Sequence, residues 1–286
     1  MKPTFDLTSD GRILEVENGV AAFDPVTLVL AAEEAARKGV QTRLRPELDL
    51  PTPDTLEPLA EVSFAIDATG NASISAKIDT GKMKWNLDDQ QAEGASFEDY
   101  TGMERRGVDL GYLEVLVDGH LLVTYAPMKT PKGDPVRCWF AELPAELGVF
   151  DGYELLALAQ NAMQSTALGA GVGEAFVTVP AQDLKYQAAV GGVEVPDYPD
   201  TTVNQRFAAA LDEHGARVIA ETFIYAGAPP TDQPPAYEFG SRGPVLVWFT
   251  QPDCSTPFSI MYTTAEAWPK EDDDIDLDTV TLPAWI

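Results

Sequence analysis

The chain offers few side chains for nucleophilic, acid–base or metal chemistry. It has two histidines, His120 and His214. A histidine-rich metal site or an H-E-x-x-H protease helix is therefore excluded, because both need paired imidazoles at short spacing. Cys138 and Cys254 lack the spacing of zinc ligands. No G-x-S-x-G nucleophile elbow is present. "TGKMK" at 80–84 carries lysines but lacks the glycine-rich lead-in and the Ser/Thr of a phosphate loop, and "GAGVG" at 169–173 reads as a connection. Asp212, Glu213 and His214 are adjacent, and neither a strand nor a helix brings three consecutive side chains to one face. That triplet reads as a solvated turn. No acid–base pair stands out by position among the 46 acidic residues. The residue inventory predicts a protein that is not an enzyme and carries no cofactor or metal.

What could position a functional segment is a core of ordinary size. The 286 residues, 45% of them apolar, suffice for one large domain or two small ones. The balance of 46 acids against 19 bases gives a formal charge of −27. Phosphate backbones and anionic membranes would repel such a surface, so neither nucleic acid nor membrane is an expected partner. The acidity reads as a solubility or habitat feature. The start, "MKPTFDLTSDGR", lacks the apolar core of a signal peptide, and no apolar run approaches the ~20 residues of a membrane span. A cytoplasmic monomer is expected, with a mature exported form left open. Two cysteines are too few for a disulfide framework and read as buried thiols.

The clearest helix lies within Gly19 to Gly39, with Asp24 as N-cap, Pro25 in the first turn and Gly39 as the stop. The proline-punctuated stretch that follows reads as a connection. Val62, Phe64 and Ile66 alternate, as do Ile74, Ala76 and Ile78, around a Thr-Gly-Asn turn. "YLEVLVDGHLLVTYAPM" predicts a second hairpin turning at Asp118-Gly119. A helix is expected in "DGYELLALAQNAMQ", a strand in "EAFVTVP", and two strands in "GPVLVWFTQPDCSTPFSIMYTTA". The end, "KEDDDIDLDTVTLPAWI", is acidic; a loosely packed terminus is the default reading, with docking of its apolar "LPAWI" onto the body or a partner left open. The sum is an α+β fold with a large, mostly antiparallel sheet and few helices.

Several ordered stretches resemble the serpin family. "FAAALDEHGARVIAET" is similar to the reactive-loop hinge, and "QPPAYEF" followed by "GPVLVWFT" is similar to the Pro-Pro and Phe that lead into an apolar strand. "STPFSIMYTTAEAWP" resembles the final strand and its proline. "NGVAAFDPVTLVLAAEEAARKGVQT" is similar to the buried N-terminal helix, and "ISAKIDTGKMKW" to the central-sheet strand ending in Gly and Trp. Together these touch about half of the chain. Asp24 stands where the family has a serine and Ser75 where an asparagine is usual, and Lys77 and Asp79 fall in a strand expected to be buried. With so few residues between the first helix and that strand, the resemblance implies a shortened or strongly diverged member with a reduced set of helices. The implied organisation is one serpin-like domain over 1–268, with a reactive-type loop at 213–235, and an acidic tail over 269–286.

What the resemblance implies is a protease trap, in which a serine or cysteine protease cleaves the loop and the cleaved loop joins the sheet. An inserted strand sends alternate side chains into the core, so one parity must be small and uncharged. The hinge positions would be Glu213, Gly215, Ala216, Val218, Ala220 and Thr222. The last four have the required parity, leaving Arg217, Ile219, Glu221 and Phe223 for the open face. An ordinary half-buried strand shows the same alternation. The scissile bond falls near Pro229 by one count and Thr231 by another, so Ala228, Pro229, Pro230, Thr231 and Asp232 are the candidates. The prolines fit a cleavage site poorly, because the ring fixes φ and removes an N–H. The readings left open are an inhibitor, a non-inhibitory serpin-like binding or structural protein, and an unrelated α+β protein with a dispersed enzyme site.

Overall fold

In a computed structural model of the chain, the described residues are 14–16, 18–48, 60–66, 72–87, 90–118, 121–144, 149–150, 152–167, 171–189, 193–196, 203–217, 235–252 and 254–283. The elements run β1 (Leu14–Glu15), β2 (Val20–Phe23), α1 (Pro25–Arg37), β3 (Arg43–Leu44), β4 (Ala60–Ile66), β5 (Ala72–Ile78), β6 (Lys84–Trp85), β7 (Glu93–Glu98), β8 (Glu104–Asp118) and β9 (Leu121–Lys129). They continue with β10 (Pro135–Glu142), β11 (Val149–Phe150), α2 (Gly152–Ala167), β12 (Val172–Pro180), β13 (Gln182–Ala189), β14 (Val193–Glu194) and β15 (Asn204–Asp212). The last are β16 (Gly215–Arg217), β17 (Ala236–Glu238), β18 (Val245–Thr250) and β19 (Ser259–Thr263).

The expected α+β fold with a large, mostly antiparallel sheet is what the structure shows. Ten strands form one sheet in the order β17-β12-β8-β9-β10-β18-β19-β2, with β6 added on β9 and β7 on β8. Among the described residues only the β12–β17 pair is parallel. A second sheet has the order β13-β15-β16, and β4–β5 is a separate hairpin.

The centre of the large sheet follows from its apolar runs. Every residue of β18 and β19 is buried, as a continuous apolar run predicts for a strand covered on both faces. Trp139 of β10 pairs across the ladder with Trp248 of β18, their rings 5.7 Å apart and 6° from parallel. The buried Trp139 indole donates to Thr250 Oγ1 at 2.9 Å. The helix expected within 19–39 is confined to Pro25–Arg37; residues 20–23 before it are the edge strand β2, all buried. Asp24 caps α1 by accepting from Thr27 N–H at 3.0 Å, which satisfies one of the free amides of the first turn. Gly39, at φ +85°, closes the helix in a conformation that side chains resist. Helix α1 packs on the β4–β5 hairpin, and α2 on β2 and β19.

Three further expectations are refined. The β4–β5 register places Phe64 opposite Ile74, as the alternation predicts, while the Lys77 side chain is 41% exposed and reaches Asp79, so this strand is not a buried one. The turn of the β8–β9 hairpin, including Gly119 and His120, lies outside the described residues. Neither cysteine is in a disulfide; Cys138 is buried, but Cys254 is only half-buried. The default of a loosely packed terminus is corrected: residues 269–283 dock across the body as a strap, and Ile275, Leu277 and Val280 are each 6% exposed. These three apolar side chains sit among six acids, and burying them gives the segment a packed side that its composition hides.

Candidate functional site

The segment flagged as a hinge begins as the second arm of a tight hairpin. Strand β15 pairs with the whole length of β13, from Asn204 opposite Ala189 to Leu211 opposite Gln182. At its far end the chain turns through Glu213 and His214, and β16 returns along the other edge, with Asp212 opposite Gly215, Leu211 opposite Ala216 and Ala210 opposite Arg217. Among the described residues no strand occupies that edge of β15 over 204–209.

Beyond β16 lies Met83. Its N–H donates to Ala216 O at 3.2 Å, and Ala216 N–H donates to Met83 O at 3.4 Å. Ala216 thus lies between two neighbours: its N–H and C=O both bond to Met83, in the chain entering β6, and on its other side it stands opposite Leu211 of β15. Neither Ala216 nor Met83 has any exposed surface. Trp85 locks the same junction, its indole N–H donating to Asp212 O at 3.0 Å.

The two faces of the hairpin differ. Gln205 contacts the start of α1: its Oε1 accepts from Asp24 N–H at 3.1 Å, and its Nε2 donates to Asp24 O and to Thr27 Oγ1. Leu211 and Ala216 share that inner parity. Arg206 and Arg217, of the other parity, reach the C-terminal segment instead. Arg206 donates to Pro283 O at 2.8 Å, and Arg217 to Leu277 O at 2.6 Å and Asp278 O at 2.9 Å. Ala216 lies on the inner face and Arg217 on the outer one.

The turn is held electrostatically. Glu213 takes both oxygens to Arg106 Nη2 at 3.1 Å each. Burial works to raise its carboxyl, but hydrogen bonds and the Arg106 charge outweigh that and hold it below the usual range. Asp212, 1% exposed, accepts from His214 N–H at 2.7 Å. Burial pushes its carboxyl up to about 6, with the Glu213 charge adding to the rise and the bond from His214 opposing it. The triplet 212–214 is a turn as expected, yet Asp212 and Glu213 are not solvated.

Of the remaining residues singled out by sequence, Val218, Ala220 and Thr222 of the hinge and Ala228, Pro229, Pro230, Thr231 and Asp232 of the scissile region lie outside the described residues. The structure brings Glu213, Gly215 and Ala216 together and adds partners the sequence reading missed: Met83, Gln205, Arg206 and the strap that meets Arg217. Met83 stands between Lys82 and Lys84, with no periodicity to mark it. The strap had a signal, because Ile275, Leu277 and Val280 recur among acids at spacings a wholly solvated tail does not need.

No protein-family model matches the sequence, and no curated protein matches it. Among solved structures the chain is similar to a thermophilic serpin, tengpin, in its native state, at 11% identity and a TM-score of 0.39, over 68% of this chain and 54% of that one. It is similar to AtSerpin1 of Arabidopsis in a native stressed conformation, at 11% identity and a TM-score of 0.38, over 67% of this chain and 55% of that one. Thyroxine-binding globulin in complex with thyroxine follows at 13% identity and a TM-score of 0.37, over 67% and 54%. The chain therefore spans about half the length of the solved structures it matches.

Proposed function

We propose that this chain is a serpin-like inhibitor of serine or cysteine proteases, acting by loop cleavage and strand insertion rather than as an enzyme. The observation that carries the reading is the seat of Ala216, fully buried between Leu211 of β15 and Met83, to which its N–H and C=O both bond, at the head of a β15 edge that no described strand occupies. Continuing the β15–β16 register would bring Val218, Ala220 and Thr222 opposite Ala209, Phe207 and Gln205 on the inner face. Glu221 would come opposite Arg206 on the outer face. Small or neutral residues would then enter the core and a charge pair would form outside it, whereas a slip of one residue would bury Arg217 and Glu221 at a cost of several kcal/mol. The drive would be the pairing of strand edges left open before cleavage.

Melting before and after nicking of the intact protein tests the reading. A protease of broad specificity cuts within 224–234, and unfolding is followed by circular dichroism. Insertion predicts a rise of many degrees in the midpoint. A nicked protein that melts with the intact one sinks the insertion mechanism. Pro229 and Pro230 favour a second reading, a non-inhibitory binding protein on the same scaffold, because proline beside a scissile bond denies a protease the N–H it binds. A gel-stable complex with a serine or cysteine protease separates the two readings.

A further inference from the structure

The C-terminal segment makes a set of contacts that the inhibitor reading does not use. Its base is tied to β8, where Arg106 N–H donates to Pro269 O at 3.0 Å and Arg105 Nη1 to Trp268 O at 3.0 Å. It then crosses the outer face of β15–β16, meeting a cation at each stage. Arg106 Nη1 donates to Asp273 O at 2.7 Å, Arg217 Nη1 to Leu277 O and Asp278 O, and Arg206 Nη1 to Pro283 O. Lys82 Nζ pairs with the Asp278 carboxylate. Four cations drawn from three separate stretches of chain are thus tied to one segment, mostly through its main-chain carbonyls. Short turns at 270–273 and 276–279 shape it, and Ile275, Leu277 and Val280 anchor it.

We infer that residues 270–283 are a latch that holds the β15–β16 hairpin seated, and that lifting the latch frees Gly215–Arg217 from β15 and from Met83. The contacts fall on both strands of the hairpin, at Arg206 and Arg217, and also on Lys82 beside Met83, so the segment spans every partner in the seat. Its grip on β16 is through Arg217, the last described residue before the loop region. The latch is a property of the hairpin and its cover, and it stands whether or not cleavage inserts a strand.

The sequence supplies a probe. Between Arg206 and Arg242, Arg217 is the only arginine. Cleavage after it by an arginine-specific protease requires its guanidinium free of Leu277 O and Asp278 O, and β16 released from β15 and from Met83. In the full-length protein this cut is expected to be slow. Leu277→Asp, which removes an apolar anchor, should speed it by about tenfold or more, as access follows the population of the open form. Asp278→Lys perturbs only a side chain that is 71% exposed and so keeps the fold; it should speed the same cut, and pairing it with Lys82→Glu should restore the slow rate by re-forming the ion pair in reverse. The cut after Arg137, within β10, reads opening of the large sheet and should stay unchanged in Asp278→Lys. Wild-type cleavage after Arg217 in Asp278→Lys, or acceleration that runs in parallel with the cut after Arg137, overturns the latch. So does failure of the reversed pair to restore the slow cut.

Discussion

Ala216→Leu tests the seat directly. Ala216 has no exposed surface and lies opposite Leu211, itself 1% exposed, with the buried Met83 on its other side. Three added heavy atoms have no free volume to enter, and overpacking of this kind costs about 1–3 kcal/mol. The strand that would absorb the strain is only three residues long. Ordering each residue costs about 1–2 kcal/mol in backbone entropy, while each of its hydrogen bonds returns a net of about 1 kcal/mol. The seat is therefore shallow, and the cheapest relief is for β16 to leave it while the ten-stranded sheet stays folded. At about 1.4 kcal/mol per tenfold, the amides of Met83 and Ala216, which bond to each other's carbonyls, should exchange with deuterium some tenfold to a hundredfold faster. The amides of β18 and β19 should be unaffected, and the denaturation midpoint should fall by little. Exchange at Met83 and Ala216 unchanged from wild type would refute the seat as described. Equal acceleration throughout β18 and β19 would show instead that Ala216 belongs to the global core and that no local release exists.

Two further outcomes follow from the same junction. Trp85→Phe removes the indole donor and leaves Asp212 O buried without it; urea denaturation should show a loss of about 1–3 kcal/mol, and a loss under a few tenths would mean that the bond at 3.0 Å contributes nothing. Asp24→Asn keeps an N-cap of equal quality but removes a titration: burial pushes the Asp24 carboxyl up to about 7, against the opposing bond from Thr27 N–H. Because the folded value lies above the unfolded one near 4, the stability linked to this proton is complete below about pH 4 and is lost as pH rises through 7. Wild type should thus lose on the order of 3 kcal/mol between pH 4 and 8 that Asp24→Asn retains, with Asp212 adding a smaller trend of the same sign in both proteins. Parallel melting curves for the two proteins across that range would contradict the assignment.

The sequence by itself determined the elements whose signal is local. Asp24, Pro25 and Gly39 bracket α1 because capping and helix termination depend on a few neighbouring residues. The alternation of residues 60–78 set the β4–β5 register, and the apolar run "VLVWFT" marked a strand. That Ala216 and Arg217 fall on opposite faces was also legible, since a strand's period of two needs no partner to be read. What only the tertiary structure decided depends on contacts far apart in the chain. The strand Pro135–Glu142 carries Arg137, Cys138 and Glu142 among its apolar residues and gives no clean period, yet it pairs both β9 and β18. Its buried Glu142 is acceptable there only because Gly240 N–H, Arg242 N–H and the Arg242 side chain converge on it. Met83 became a partner of Ala216, and an acidic tail became a docked strap, for the same reason. A charge or a lone apolar residue has no preferred place until distant groups supply its partner, and the hydrogen bonds that hold Arg206 and Arg217 run to main-chain carbonyls, which every residue type carries and no sequence pattern can announce.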